Sequence, residues 1–237
     1  MRWRDECAVV IPCLNEAAAI GPLVGAVRSM LPSVIVIDDG SGDQTAELAG
    51  AAGAVVLRHD RPKGKGAALR EGWRHAAQCG FLWAISMDGD GQHAAMDVPK
   101  FLRAAEAGPA RLISGNRMHA TARMPLIRRL TNRFMSWQLS RLAGVRLPDS
   151  QCGFRLMHLP SWSELKICTD CFEIESEVLL KFARAGLLME FVPIQVIYAS
   201  ERSKIRPIHD ACRWWYWLQA MRRDNCGSAN PCEKSRE

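Results

Sequence analysis

Short apolar runs alternate with segments of helical periodicity through the first part of the chain. Residues 8–11 and 34–37 are continuous apolar runs, which are typical of strands buried on both faces of a parallel sheet. Between these runs, apolar residues recur at helical spacing, namely Ile20, Leu23, Val24, Val27 and Leu31. The pattern predicts a β-α-β unit, in which a helix joins two neighbouring parallel strands.

The same alternation continues after this unit. It predicts helices at 45–52 and 66–79 and strands at 54–58 and 81–87. Such a chain is expected to be an α/β protein, with a doubly wound, mostly parallel sheet flanked by helices. Ligands of these sheets bind outside the carboxyl ends of the strands.

The second half of the chain is less regular, but it shows no internal repeat, linker or change in composition. The predicted elements are a strand at 111–114, helices at 125–142 and 172–185, one or two strands within 187–198 and a helix at 208–223. We therefore expect one domain over residues 1–224, ending in an amphipathic helix at 205–224. The polar residues 225–237 are expected to form a disordered tail.

Composition is that of a soluble globular protein, because 48% of the 237 residues are hydrophobic and 24% are charged. The net charge of +6 favours an anionic partner, which is a phosphorylated ligand, a nucleic acid or an acidic membrane surface. Nine cysteines, several of them in apolar segments, predict reduced thiols and a cytoplasmic location. Cys168 and Cys171 have metal-ligand spacing, but without a second pair we expect this spacing to be incidental.

No segment is long enough to predict a transmembrane helix. The best candidate, residues 187–198, is interrupted by polar residues and proline and is shorter than the roughly 18 apolar residues required. The first apolar run is also too short for a secretory signal. Three tryptophans, Trp214, Trp215 and Trp217, lie close together near arginines on the last predicted helix. This pattern favours peripheral membrane contact through 208–223, with packing against the domain as the alternative.

Acidic and amide side chains follow three of the predicted strands, in the segments 12–16, 38–45 and 88–93. Each segment alone is also typical of turns and helix caps. Because the carboxyl ends of parallel strands meet at one edge, the three together favour a ligand site. Asp88, Asp90 and Gln92 alternate with glycines, and this spacing allows their oxygens to converge on Mg²⁺ or Mn²⁺.

Other motifs with partly similar residues do not fit. A calcium-binding EF-hand that begins at Asp88 requires Gly and Glu where the chain has His93 and Pro99. Residues 63–66 lack the spacing and the Ser or Thr of a nucleoside-triphosphate-binding P-loop.

Five motifs taken together resemble the family 2 inverting glycosyltransferases, most closely the dolichol- or polyprenyl-phosphate mannosyl- and glucosyltransferase branch. They are Pro12-x-x-Asn15-Glu16, Asp38-Asp39-Gly40-Ser41-x-Asp43-x-Thr45, Lys63-Gly64-Lys65-Gly66-Ala67-Ala68-Leu69, Asp88-x-Asp90-x-Gln92 and Asp149-x-x-Cys152-Gly153-Phe154-Arg155. The resemblance covers about residues 7–204. It implies a GT-A fold, a nucleotide-diphosphate sugar donor, a divalent metal and transfer with inversion.

The resemblance also implies roles for individual residues. Those expected to border the nucleobase, ribose or nucleoside are Pro12, Leu14, Glu16, Ile37 and Asp39. Asp88 would face the ribose or sugar as a catalytic residue. Asp90 and Gln92 would bind the metal, with Asp90 also catalytic, and Lys65 would bind the substrate.

Basic and acidic residues later in the chain are candidates for the phosphates and the acceptor. Arg117 is expected near the donor phosphates or the acceptor, or else in solvent. Glu175 is the candidate base for a hydroxyl acceptor, while a lipid phosphate acceptor would need no base. Arg202 and Lys204 lie in a stretch similar to one that closes over the diphosphate or meets the lipid phosphate in this branch.

The resulting hypothesis is a metal-dependent inverting glycosyltransferase that acts on a lipid or polyprenyl phosphate, at most peripherally attached to the cytoplasmic membrane face. A sugar-1-phosphate nucleotidyltransferase is one alternative, although the chain has Asn15-Glu16 where a glycine-rich signature would stand. A non-catalytic nucleotide-sugar binding module is another. A nucleic-acid partner is not expected, because basic residues gather with aromatic ones only in the last helix.

Overall fold

The chain folds around one seven-stranded sheet. The computed structural model describes residues 2–119, 124–195, 197 and 207–222, the last range without the side chains of 207–212. The strands are β1 (Cys7–Cys13), β2 (Val34–Asp38), β3 (Val55–Arg58), β4 (Trp83–Ser86), β5 (Leu112–Asn116), β6 (Arg155–His158) and β7 (Met189–Pro193). Their order in the sheet is β3-β2-β1-β4-β6-β5-β7. The sheet is mostly parallel, since only β6 runs antiparallel to its neighbours β4 and β5.

Helices cover both faces of the sheet. They are α1 (Trp3–Glu6), α2 (Ala17–Arg28), α3 (Thr45–Ala51), α4 (Lys65–Gln78), α5 (Val98–Ala107), α6 (Leu126–Ala143), α7 (Leu159–Ser163), α8 (Ile174–Arg184) and α9 (Pro207–Arg222), with a 3-10 turn at Ala95–Asp97. Alternate residues of β1 enter different cores, as the two-residue period of a strand requires. Val9 and Ile11 pack on the side of α2 and α5, and Val10 packs on the side of α4, α8 and α9.

The predicted α/β sheet is confirmed, and the predicted elements of the first half agree with the structure to within a few residues at each end. Two elements near the site were not predicted. Strand β6 has only four residues, too few to show a period. Helix α5 buries Val98, Phe101, Ala104 and Ala105 at helical spacing, a pattern that was available in the sequence. The described part of the chain contains no helix long and apolar enough to cross a membrane.

The expectation of reduced cysteines throughout is wrong at Cys171, which is disulfide-bonded. Cys7 and Cys152 are buried thiols. Burial raises the pKa of Cys152 to about 12 and raises the pKa of Cys7 as well, so both are unreactive. Disulfide formation depends on which segments the fold brings together, and cysteine spacing in a sequence does not reveal this.

Candidate functional site

The loops that follow β1 and β2 bind each other through the side chains of their motifs. Asn15 has a left-handed backbone conformation, with a φ of 54°, and its amide oxygen accepts a hydrogen bond from Gly42 N at 2.9 Å. Ser41 and Thr45 accept hydrogen bonds from the backbone N–H groups of Asn15 and Glu16, each at 2.8 Å. These bonds fix the first turn of α2 against the second loop. The polar residues of both motifs therefore shape this edge of the sheet.

Asp39 is a buried brace between the second loop and the start of α4. Its two carboxylate oxygens accept hydrogen bonds from the backbone of Lys63 at 2.7 Å and of Gly64 at 2.8 Å. His59 lies with Nδ1 2.6 Å from Asp39 and Nε2 2.8 Å from the Glu71 carboxylate. The loop before α4 is thus held at the carboxyl end of β2, and Lys65, the first residue of α4, begins at that edge.

Lys65 joins two carboxylates that come from distant parts of the chain. Its Nζ lies 2.6 Å from Asp88 Oδ1 and 2.6 Å from Glu175 Oε1, and 5.6 Å from the centre of the Phe172 ring. Burial alone lowers the pKa of Lys65, but the two carboxylates outweigh burial and hold its pKa above the usual range. Burial likewise acts to raise the pKa of Asp88, but the charges of Lys65 and Arg117 hold it below the usual range. Both groups are therefore charged at neutral pH.

Asp90 lies in the tight turn that follows β4. Its Oδ1 accepts a hydrogen bond from Gln92 N at 3.0 Å. Burial and then the charge of Asp88 raise the pKa of Asp90, so its negative charge is unfavourable without a nearby cation. The Asp90 carboxylate, which lies near the negative charge of Asp88, is the type of oxygen ligand that a hard divalent cation binds. The Gln92 amide oxygen belongs to the same ligand class. The residues present therefore fit the predicted Mg²⁺ or Mn²⁺.

His93 lies against the turn that follows β4 and accepts a hydrogen bond from it. The backbone N–H of Asp88 donates to His93 Nδ1 at 3.2 Å, and the imidazole stacks on Phe154 with ring centres 5.1 Å apart. Burial lowers the pKa of His93, which keeps the accepting nitrogen unprotonated. His93 was not among the predicted site residues. Its position five residues after Asp88 in a glycine-rich turn was the available signal.

Gly153 lies directly under the two carboxylates. A Cβ atom at this position would lie 2.7 Å from Asp88 Oδ1 and 3.0 Å from Glu175 Oε1. The loop is fixed on both sides of Gly153, because Ser86 Oγ donates to the Gly153 carbonyl and Arg155 Nε donates to the Cys152 carbonyl. Only a residue without a side chain leaves Asp88 and Glu175 in place. The resemblance pointed to this segment, but local sequence gave no reason for the glycine.

Arg117 forms a buried ion pair with Asp149. Its Nε and Nη2 donate to the Asp149 carboxylate at 2.8 and 2.9 Å, and its backbone N–H donates at 3.1 Å. Asp149 also accepts hydrogen bonds from Asn132 and Gln151. Burial opposes ionisation of Asp149, but Arg117 outweighs it and lowers the pKa to about 2. The pair ties β5 to the loop that leads to Gly153.

We expect Asp149→Asn to lower the free energy of unfolding by about 3 kcal/mol at pH 7, because it leaves the buried Arg117 charge without a counterion. Chemical denaturation measures this change. The folded pKa of Asp149 lies below its unfolded value of about 3.9. Its stabilising effect is therefore complete above pH ~4 and is lost as the pH falls toward 2. The difference in free energy of unfolding between Asp149→Asn and the wild type should therefore become smaller as the pH falls from about 4 toward 2.

Glu47→Gln is the matched control, because the Arg58–Glu47 ion pair spans 3.6 Å and both of its side chains are at least half exposed. We expect it to change stability by less than about 0.5 kcal/mol. Equal effects of the two substitutions would contradict the structural role of the Arg117–Asp149 pair.

The structure brings some of the predicted residues together and separates others. Those at the open edge are Asp88, Asp90, Gln92, Lys65 and Glu175, with Glu16 and Leu14 partly buried in the adjoining loop. Pro12 is partly buried at the end of β1. The side chain of Ile37 is fully buried in the core under α4, so it does not face a ligand. Arg202 and Lys204 lie outside the described residues.

The charged groups at this edge therefore have two roles, which are to attract an anionic ligand and to hold Lys65 in position. A cation at Asp90 and the ammonium of Lys65 would place positive charge beside an anionic ligand such as a diphosphate. The carboxylates of Asp88 and Glu175 hold Lys65 in one position. Among the described residues, no group of three or more His, Cys, Asp or Glu side chains is arranged to hold a metal ion.

Known proteins resemble this chain in sequence and in fold. The family model "Glycosyl transferase family 2" matches residues 8–161. The chain is 31% identical over 205 residues to the uncharacterized protein MJ1222 of Methanocaldococcus jannaschii, covering 82% of this chain and 83% of that protein. It is 27% identical over 216 residues to the UDP-N-acetylglucosamine–dolichyl-phosphate N-acetylglucosaminyltransferase of Methanococcus voltae, covering 80% and 85% of the two chains.

Among solved structures, the chain is similar to glucosyl-3-phosphoglycerate synthase from Mycobacterium tuberculosis in complex with Mn²⁺, UDP and glucosyl-3-phosphoglycerate. The TM-score is 0.68 at 21% identity, with 95% of this chain and 81% of that chain covered. At this level of identity the likeness concerns the fold. It confirms the predicted GT-A fold.

Proposed function

We propose that this chain, which belongs to glycosyl transferase family 2 and is a glycosyltransferase, transfers a sugar from a nucleotide-diphosphate sugar to a polyprenyl phosphate. The observation that carries this proposal is the set of charges at the carboxyl edge of the sheet. Lys65 lies between Asp88 and Glu175, and burial and the charge of Asp88 raise the pKa of the neighbouring Asp90. Such an edge suits a ligand that combines a diphosphate with a sugar.

The donor diphosphate is proposed to lie beside Lys65 and Asp90. A divalent cation held by Asp90 and Gln92 would offset the negative charge that develops on the departing nucleotide. Lys65 supplies a fixed positive charge, because two carboxylates orient its ammonium. Support for a metal also comes from the solved synthase, whose structure contains Mn²⁺ and UDP.

Asp88 is proposed to contact the ribose or the sugar. One of its oxygens lies 2.6 Å from Lys65, and the side chain is partly exposed toward the open edge. The bond from its backbone N–H to His93 fixes the turn that carries it. Pro12, Leu14, Glu16 and Asp39 remain the proposed surroundings of the nucleoside. Their loops are held together by the hydrogen bonds of Ser41 and Thr45.

A phosphate acceptor fits the state of Glu175 better than a hydroxyl acceptor. Glu175 is buried, and its Oε1 lies 2.6 Å from the Lys65 ammonium, so this oxygen is engaged in an ion pair instead of facing an acceptor hydroxyl. A phosphate oxygen is already ionised near neutral pH and attacks without a base. The Methanococcus voltae relative is named for a dolichyl-phosphate acceptor. A single displacement by that oxygen, opposite the leaving diphosphate, inverts the anomeric carbon.

A thermal-shift panel tests the donor part of this proposal. The protein is heated with UDP-, GDP-, CDP- and dTDP-sugars, each in Mn²⁺ and in EDTA. A ligand that binds only the folded state at 100 times its Kd adds about 2.7 kcal/mol of stability. We expect one nucleotide class to raise the melting temperature in Mn²⁺ and to have a smaller effect in EDTA. The absence of any shift across the panel would contradict the proposed donor class.

A further inference from the structure

Helix α6 presents a line of large apolar side chains to solvent. Ile127, Leu130, Phe134 and Trp137 are 81%, 55%, 48% and 52% exposed, and their spacing of three and four residues places them on one face. We call this set the α6 face. Single exposed apolar residues are ordinary on protein surfaces, but a continuous line of them marks a contact site.

Positive charge adjoins the second half of the α6 face. The arginines of α6 are Arg128, Arg129, Arg133 and Arg141, and the helix contains no acidic residue. The guanidinium of Arg141 lies 5.4 Å from the centre of the Trp137 ring. A groove of about 460 Å³ beside the second half of α6 is lined by Trp137 and Leu147 together with Arg133, Arg141 and Arg146. The surface thus combines apolar and cationic groups.

Fewer aromatic side chains of helix α9 are exposed to solvent than its sequence indicates. Trp214 and Trp217 are buried, and Trp214 Nε1 donates to Ser176 Oγ at 2.9 Å. Trp215 is exposed and lies 5.8 Å from the guanidinium of Arg222. Arg222 in turn donates to Gln138 on α6 at 2.9 Å. The exposed part of α9 therefore adjoins α6 and extends its charge.

We propose that the α6 face docks on the surface of an anionic lipid bilayer. Aromatic and aliphatic side chains flanked by arginines match the boundary between acyl chains and anionic headgroups. A second copy of this chain is a poorer occupant, because a symmetric contact through α6 would bring its arginines together without acidic partners. Residues 223–237 contain no large apolar side chain with which to cover the face.

The opposite side of α6 is bonded to the candidate site. Asn132 donates to Asp149 at 3.1 Å, and Ser136 Oγ accepts from Ser150 N at 2.9 Å. Both partners belong to the loop that leads to Gly153. Docking through α6 would therefore hold the catalytic edge at a fixed orientation to the bilayer. This consequence for a lipid acceptor rests on the proposed function, whereas membrane binding itself does not.

Vesicle sedimentation tests the proposal with the full chain and with neither donor nor acceptor present. Vesicles of phosphatidylcholine alone are compared with vesicles that also contain 30% phosphatidylglycerol. We expect binding to the anionic vesicles to be at least about 10-fold stronger, and to weaken as salt is raised. We expect Ile127→Ser/Phe134→Ser to lower the anionic partition coefficient about 10-fold or more. The matched control, Val55→Ser/Leu188→Ser, removes two comparably exposed apolar side chains from other surfaces and should bind as wild type.

Several outcomes would overturn the proposal. These are anionic binding by the α6 variant equal to wild type, equal loss in the control, or a wild-type dimer that the α6 variant abolishes. Circular dichroism and the melting temperature establish that both variants fold. Transfer to a short, water-soluble prenyl phosphate without vesicles separates the two proposals. If no such transfer occurs while vesicle binding behaves as expected, the proposed function fails and the docking surface stands.

Discussion

Asp90→Asn is expected to lower kcat for sugar transfer by about 10²- to 10³-fold, while leaving the protein folded. An amide in place of the carboxylate removes the charge that we propose to hold a divalent cation. The negative charge of the departing nucleotide then develops without its main compensation, and the loss of one such electrostatic contact costs about 10²–10³ in kcat. Steady-state transfer assays at saturating Mn²⁺ measure this loss.

The same substitution should not destabilise the metal-free protein. The folded pKa of Asp90 is raised by burial and by Asp88, so its ionised form disfavours folding at neutral pH. A neutral amide removes this unfavourable charge, and the melting temperature is expected to be unchanged or higher. In Mn²⁺ with the nucleotide, only the wild type should gain stability. If Asp90→Asn is inactive but stable, Asp90 acts as a metal ligand and not as a structural carboxylate.

Asp60→Asn is the control, because Asp60 is an exposed aspartate in the loop after β3. It should keep wild-type turnover and the wild-type response to Mn²⁺. Turnover within about 3-fold of wild type in Asp90→Asn would contradict the assignment of Asp90 to the metal.

Gly153→Ala is expected to lower kcat/KM by about 10²-fold, although it adds only one methyl group. The new Cβ would lie 2.7 Å from Asp88 Oδ1, closer than real Cβ atoms approach, and 3.0 Å from Glu175 Oε1, which is tighter than nearly all real Cβ contacts. Both carboxylates contact Lys65, so a shift of either one disturbs the arrangement of all three groups. A displacement near 1 Å at the reacting groups is enough for a loss of this size. We also expect a fall of about 1–3 kcal/mol in stability from overpacking.

Gly108→Ala tests whether the effect is specific to the site. Gly108 has an extended backbone with a φ of −152°, and its added Cβ would meet no atom within 4 Å. It should leave kcat/KM and stability near wild type. The double variant Lys65→Ala/Gly153→Ala is expected to stay as inactive as Gly153→Ala. Full activity of the double variant would show that the Gly153→Ala effect comes only from the clash of the new Cβ with the carboxylates that Lys65 holds.

Local sequence was sufficient for the parts of the fold that depend on local pattern. β1 and β2 are apolar runs buried on both faces, and the loops after them are rich in polar residues because the site lies there. The position of Asp88 and Asp90 at the same edge follows from strand direction alone. The acidic loop after β4 could therefore be placed at this edge without a structure.

Contacts between distant segments could not be predicted in this way. Lys65 and Glu175 are 110 residues apart, and no periodicity relates α4 to α8. The Arg117–Asp149 pair depends on β6 running antiparallel between β4 and β5, and β6 is too short to leave a pattern. Which aromatic residues are buried was also not predictable, because Trp214 and Trp217 pack inside while the α6 side chains face solvent. Helical periodicity shows that a face is apolar but not what covers it.

We infer that the edge formed by Lys65, Asp88 and Asp90 performs metal-dependent sugar transfer with inversion onto a phosphate. The most direct measurement is the anomeric configuration of the product, from proton and phosphorus NMR, after reaction of the nucleotide sugar found in the thermal-shift panel with a polyprenyl phosphate in Mn²⁺. We expect a β-linked sugar phosphate from an α-linked donor, and no product in EDTA. An α-linked product, or equal transfer in EDTA, would contradict it.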